Sequence, residues 1–458
     1  MAIFSPLSIG RSALLAHQRA ITTTGQNIAN AQTPGYRRQT TEFASQDGSL
    51  GYGVRAVAVE SAVDRFLEAQ LLQQGSRSAA AGLRRDLLDR VQDLFPVEGP
   101  TVQGSLDAFW ADAQRLADRP EDLAVRSDLL SRAAELSGRV RAVFAGVAAL
   151  QRESDQRLGG EAKDANVLLH KIASLNEDIV AAESGGERAN ELRDQRDGAL
   201  AKLAEHVEIG TTEHESGAVD VALKASGLSL VLGSDVQELT VEAGPVTGLD
   251  GTALSSVGVK LPSGAVIELP GNPGGRMGAL LALRDTDLPA RAGELDVFAL
   301  ALRDAVNAVQ TDPAARDLDG LVGTDLFSGT GAGDLTVALS DARGIAAAVG
   351  TSLGDNGNAL ALVGVREASQ ASLGGSTLVE FHARIQSSVG SAARTAADQA
   401  TVESGAKSSL EGRRDAVSAV SLEEEFTDLI RFQRGFQAAA QLISVSDGLL
   451  EELIGLVR

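Results

Sequence analysis

Cysteine is absent from all 458 residues, which removes disulfides, thiolate metal sites and cysteine nucleophiles. That absence suits a chain working in an oxidising exterior. Aromatic residues make up 3%, with one tryptophan (Trp110) and two tyrosines, Tyr36 and Tyr52. The apolar content is instead alanine, leucine and valine, the material of helix-on-helix packing. Positive charge is in short supply: 41 basic against 62 acidic residues leave a net charge of −21. Phosphate backbones and anionic bilayers both need a basic face, so nucleic acid and membrane surfaces are excluded as partners. The longest apolar run, Ala142 to Leu150, is less than half of a bilayer span. The first residues lack a basic n-region, and Arg11 and His17 interrupt the apolar stretch. That is not a cleaved signal peptide, so export would need another route.

What the chain does have is an apolar seam at each end. Leu7, Leu14, Ile21 and Ile28 recur every seventh residue. At the other terminus, Leu422, Phe426, Leu429, Gln433, Phe436, Ala440, Ile443, Asp447, Leu450, Ile454 and Val457 follow alternating steps of four and three. Both patterns predict coiled-coil helices. A stripe of that length needs a cover, either the other terminus or a neighbouring copy. Gln433 and Asp447 are the polar interruptions. They read either as register-setting contacts or as points where the seam drifts.

Between the seams, helix signals dominate the outer thirds. Thr33-Pro34-Gly35 is a turn that ends the first helix near Asn30, and residues 41–60 read as extended and glycine-punctuated. Helices are expected from Ser61 to Phe95, from Ser105 to Ala117, over a heptad from Leu129 to Leu150, over Ala165 to Ala182, and around Leu192 to Leu203. The period changes to two between Val207 and Leu269, which predicts a small antiparallel β domain. Helix returns from Met277 to Gln310. A Gly/Asp-rich stretch over 312–356 holds one expected strand around Leu335–Leu339, and two long helices follow over 376–418 and 422–457.

The fold class is therefore mainly α with an inserted β module. The divisions are a terminal coiled-coil domain (1–40 with 421–458), a helical bundle (41–206 with 273–420) and an outer antiparallel β domain (207–272).

Catalytic signals are weak. His17, His170, His206, His214 and His382 are scattered, and none has a histidine four residues on. Asp317-Leu318-Asp319-Gly320 fails as a calcium loop, because the first and twelfth ligands would be Ala315 and Leu326. Gly329 to Gly333 resembles a phosphate cradle in composition only. Glu423, Glu424 and Glu425 suit the first turn of the last helix and need no acid–base role. The expectation is a non-enzymatic chain without metal or cofactor.

The segment Gly25-Gln26-Asn27-Ile28-Ala29-Asn30-Ala31-Gln32-Thr33-Pro34-Gly35-Tyr36 resembles the N-terminal signature of bacterial flagellar rod, hook and hook-associated proteins. Ser421 through Leu429-Ile430-Arg431-Phe432-Gln433 to Ala439 is similar to their C-terminal signature. Three further stretches, Gly51-Tyr52-Gly53-Val54 with Asp64 to Leu71, Leu192 to Asp197, and Ala305-Val306-Asn307, resemble the hook-associated protein 1 family. The resemblance implies a structural subunit of the hook–filament junction, extracellular and exported through the flagellar type III channel. It implies as partners copies of the chain in a ring, the hook protein, the next junction protein, and an export chaperone on the C-terminal region. The expected assembly interface comprises Leu7, Leu14, Ile21, Asn27, Ile28, Asn30, Thr33, Pro34, Gly35 and Tyr36 at one end. At the other it comprises Leu422, Phe426, Leu429, Ile430, Gln433, Phe436, Ala440, Ile443, Leu450 and Ile454. Another axial subunit, or a flagellar scaffold carrying an adhesive outer module, are the alternatives.

Overall fold

The computed structural model describes residues 4–33, 35–46, 53–350, 352 and 354–456. Helix α1 (Phe4–Asn30) leads into an antiparallel ribbon of β1 (Gln39–Gln46) and β2 (Gly53–Ser61). The ribbon folds back along α1, and at Gly53 an added side chain would strike Ser12. The strands thus pack on the terminal helix, although the sequence division placed residues from 41 onward in the body. Helix α2 (Arg65–Asp93) begins where the Asp64 carboxylate accepts the N–H groups of Phe66 and Leu67, so the N-cap rather than the apolar pattern sets its start. Helices α3 (Val102–Asp118), α4 (Leu123–Glu183) and α5 (Asn190–His206) follow.

The body is built on α4. Two helices were expected here, and the structure corrects this to one of 61 residues, about 90 Å long. Gly159-Gly160 does not break it. Each glycine costs roughly 1 kcal/mol in a helix interior, but Leu158 and Ala162 are buried on the core face and carry the stripe across. The expected heptad Leu129, Ala133, Leu136, Val140, Val143, Val147 and Leu150 is buried throughout.

The β module forms two sheets. The first contains β3 (Ile209–Glu213), β4 (Val219–Leu223), β5 (Ser229–Leu232) and β6 (Asp235–Val236) in that order. The second contains β7 (Glu238–Thr247), β8 (Ala253–Lys260) and β9 (Val266–Glu268). Polar side chains on α4 bind this module by its backbone. Asn166 accepts the Leu239 N–H and donates to the Leu239 carbonyl, at 2.9 and 2.8 Å. Asn176 does the same at Val219 and also donates to Gly233.

Helix α6 (Gly275–Ala282) and helix α7 (Leu288–Gln310) are joined by one π-helical turn, Leu283–Asp287. Pro289 opens α7 without an N–H to donate, so the ladder slips by a residue there. The turn is fastened by Arg284, which reaches Asp155 on α4 and the Ser255 carbonyl on β8.

In the stretch over 312–356 the expected strand shrinks to Thr336–Val337, paired with Phe327–Ser328. Helix α8 (Gly357–Gly364), which the pattern did not announce, follows. Helix α9 (Leu378–Ser418) starts with a Thr377/Glu380 capping box, and α10 (Leu422–Leu456) closes the chain. The glycine-rich loop has its own anion: the Asp334 carboxylate accepts the N–H groups of Thr330 and Gly331. Asp317 likewise accepts the N–H groups of Asp319 and Leu321 within its turn.

Candidate assembly site

The two ends of the chain cover each other. Helices α1 and α10 run antiparallel, with Asn27 beside Glu425, His17 beside Gly435 and Gly10 beside Ile443. They approach closely because glycines stand at the crossings. A Cβ at Gly435 would lie 2.6 Å from the His17 ring, and one at Gly10 would lie 2.7 Å from the Ile443 side chain. On α1 the fully buried positions are small or polar: Gly10, Ala16, Ala20, Thr23, Thr24 and Asn27. The stripe Leu7, Leu14, Ile21 and Ile28 lies to one side of that face and stays half-buried.

The seam on α10 is displaced in the same way. It runs through Glu425, Leu429, Phe432, Phe436, Ala439, Ile443, Ser446 and Leu450, each buried or half-buried. Of the residues expected there, Leu429, Phe436, Ala440, Ile443 and Leu450 are half-buried, whereas Leu422, Phe426, Ile430 and Gln433 are exposed. Gln433 and Asp447 each stand one position past a seam residue, Phe432 and Ser446, and both are exposed. Pro34, Tyr52, Val457 and the Ile454 side chain lie outside the described residues. His17 joins Phe43 and Phe432 in an aromatic cluster, with centroids 5.9 to 6.3 Å apart, that pins the ribbon to both helices.

A joint of hydrogen bonds fastens this pair. Asn27 uses its whole amide: Nδ2 donates to the Gln39 carbonyl and to Glu425 Oε2, at 2.8 and 2.9 Å. Its Oδ1 accepts from the Tyr36 hydroxyl and the Gln39 N–H, at 2.9 and 3.0 Å. Gly35 takes φ +82°, a conformation that glycine adopts without strain, and this turn delivers Tyr36. Burial, with Asp194 and Glu425 nearby, pushes the Tyr36 hydroxyl up to about 12. It therefore remains a donor. The Glu425 side chain is 2% exposed and receives Arg38 Nε at 2.7 Å. Asn30 and Thr33 pack their side chains within the same turn, at 3.3 Å, near the surface.

The next residue ties the joint to the body. Arg37 bonds Asp194 (3.3 Å) and Asp197 on α5, and Glu68 (2.9 Å) on α2. Burial raises the Asp194 carboxyl to about 6, despite the opposing pull of Arg37. Asn190 donates to the Val59 carbonyl on β2, and Ser418 to the Ala62 carbonyl. A cleft of about 590 Å³ between α1 and the start of α5 is lined by Arg19, Gln26, Tyr36 and Asn190. Arg37, Arg38, Asp194 and Glu425 were missing from the expected interface. Their signal was present, as adjacent arginines after the Pro-Gly-Tyr turn and acidic residues at two helix starts.

The histidines are distributed among structural roles. His206 pairs with Glu161 at 2.6 Å, His214 with Asp220 at 2.7 Å and His170 with Glu238 at 2.9 Å. His382 is buried against Phe298.

Comparison with known proteins finds separate matches for the middle of the chain and for its two ends. Residues 88–327 match the family model described as flagellar hook-associated protein FlgK helical domain. Residues 7–37 match the flagella basal body rod protein model, and residues 415–456 the flagellar basal body rod FlgEFG protein C-terminal model. Flagellar hook-associated protein 1 of Bacillus subtilis is 27% identical over 502 residues, covering 98% of each chain. The Salmonella typhimurium protein of that name is 24% identical over 551 residues, covering 97% of this chain and 98% of its own. The structure of the flagellar hook junction protein FlgK from Burkholderia pseudomallei superposes with a TM-score of 0.69 at 16% identity. It covers 76% of this chain and all of that one, so it speaks for the fold.

Proposed function

This chain belongs to the flagellar hook-associated protein FlgK family, and from that premise we propose that it forms the junction between hook and filament, assembling through its terminal helices. Members of the family are structural flagellar proteins, not enzymes. The observation that carries the proposal is the Asn27–Glu425 bond, which ties the N-terminal signature to the C-terminal one across 398 residues of sequence. A subunit built this way offers neighbours a helix pair already braced against its body by Arg37. The α1–α10 pair is the inner layer in this reading, the long-helix bundle surrounds it, and the β module faces outward. The partners are copies of the chain in a ring, the hook protein on one side and the next junction protein on the other. An export chaperone engages the C-terminal region before the chain leaves the cell without a cleaved signal.

Immunogold electron microscopy of intact flagella tests this reading. A single narrow band where hook meets filament is the expected result. Label along the hook or the filament would make the chain a bulk axial subunit, and absence of label from flagella would overturn the proposal.

A further inference from the structure

Helix α10 leaves apolar side chains uncovered on two opposite flanks of its seam, at different heights. Phe426 and Ile430 each follow a seam residue, Glu425 and Leu429, by one position, and both are 52% exposed. Leu442, Val445 and Leu449 each precede one, namely Ile443, Ser446 and Leu450, and are also exposed. One residue turns the helix by about 100°, so the first group lies to one side of α1 and the second to the other. Leu422, exposed one turn before Phe426, extends the first group into a ridge with steps of four.

The two groups match in length and order. Nineteen residues separate Phe426 from Val445, and the same number separate Ile430 from Leu449. Leu422 and Leu442 are twenty apart. A ridge with steps of four set against positions spaced by three and four is the combination that packs helices at roughly +20°. Charge follows the same offset. Arg434 continues the first ridge by one more step, and Glu452 lies eighteen residues further on. Both are exposed, and among the described residues neither has an ion-pair partner in its own chain.

We propose that the Leu422–Phe426–Ile430 ridge of one copy packs against Leu442, Val445 and Leu449 of the next. The neighbours are then parallel and offset by about nineteen residues, or roughly 28 Å, and Arg434 of one meets Glu452 of the other. This deepens the reading above and rests on it, because it takes a second copy as the occupant. The contact is heterologous. Unlike flanks meet, so each subunit keeps one flank of each kind free for the next, which closes a ring or extends a helix. A like-to-like contact would instead set Glu423 beside Glu423 and leave the second flank bare.

The absence of cysteine makes the register directly measurable. Ile430→Cys and Leu449→Cys are placed together, and separately, in the full chain, and flagella are isolated and oxidised. Disulfides require Cα atoms within about 7 Å. The double variant is expected to run as a ladder of cross-linked multimers, each single variant as monomer, and the co-expressed singles as dimers at most. No ladder from a double variant that still gives the immunogold band would overturn the register and leave the junction reading intact. Dimers from either single variant would overturn it as well. Absence of a band with the wild-type chain would refute the junction reading instead. Should cysteine at these positions block incorporation, charge exchange decides. Arg434→Glu and Glu452→Arg should each lower incorporation roughly threefold to fivefold, and their combination should restore it. A combination no better than its parts would count against the contact.

Discussion

At the scale of single residues, two buried polar side chains behave in opposite ways. Asn27 is fully satisfied by four hydrogen bonds. Asn27→Ala would leave the Gln39 backbone, the Tyr36 hydroxyl and the buried Glu425 carboxylate short of partners. The expected cost is roughly 2–4 kcal/mol, concentrated in the terminal pair, so amide exchange should rise in α1 and α10 and stay unchanged in α4. Uniform exchange across the molecule would show that the joint carries no local stability. His382 is the contrasting case, because among the described residues its Nδ1 has no hydrogen-bond partner. Burial lowers its pKa to about 4 from an ordinary 6.5. The folded state therefore resists protonation. Its contribution is intact above pH 6.5, declines as pH falls through that value, and is gone near pH 4. His382→Phe should flatten stability over that window by about 3 kcal/mol, as read from denaturant midpoints at a series of pH values. An unchanged pH slope in the variant would locate the acid sensitivity elsewhere.

At the scale of elements, α4 both builds the core and orients the β module. Asn176 is buried and holds Val219 on β4 through both its N–H and its carbonyl. Asn166 treats Leu239 on β7 identically, so each amide stands in for a strand partner. Asn176→Ala is expected to cost roughly 2–4 kcal/mol and to open the β3–β6 sheet, seen as faster exchange at Val219 and Val221 while α3 stays protected. If α3 loosens equally, the module and the bundle unfold as one unit. Much of this architecture was legible in the sequence. The Leu129–Leu150 stripe and the period-two stretch after Val207 follow from burial on one face. The continuity of α4 was not, because Gly159-Gly160 weakens the local signal and only packing on both sides decides it. The π turn was only half legible: Pro289 marks where the ladder slips, but the Arg284–Asp155 bond that fastens the turn spans more than a hundred residues. The seam on α10 was legible to within one residue. Phe432 and Phe426 are equally apolar in sequence, and only the Glu425–Asn27–Arg38 contacts choose between the two registers.

At the scale of the whole molecule, the ends of the chain and its middle have separate stability. Leu429 and Phe436 are half-buried on α10, which packs along α1, whereas Leu136 is fully buried in the bundle. An unpaired carboxylate costs several kcal/mol, of order 3–5, wherever apolar packing encloses it. Leu429→Asp or Phe436→Asp should therefore dissolve the helix pair and abolish incorporation into flagella. Thermal unfolding of the body should be little changed, because Arg37 touches α5 and α2 rather than their cores. Leu136→Asp should instead unfold the bundle outright. The two outcomes separate assembly from folding, and circular dichroism melting paired with counts of labelled hook–filament junctions reads both. Normal incorporation of Leu429→Asp and Phe436→Asp would mean that neighbours, and not the seam within the chain, hold the terminal helices in place. A body that melts with the terminal pair would mean that the Arg37 clamp couples the two into one cooperative unit.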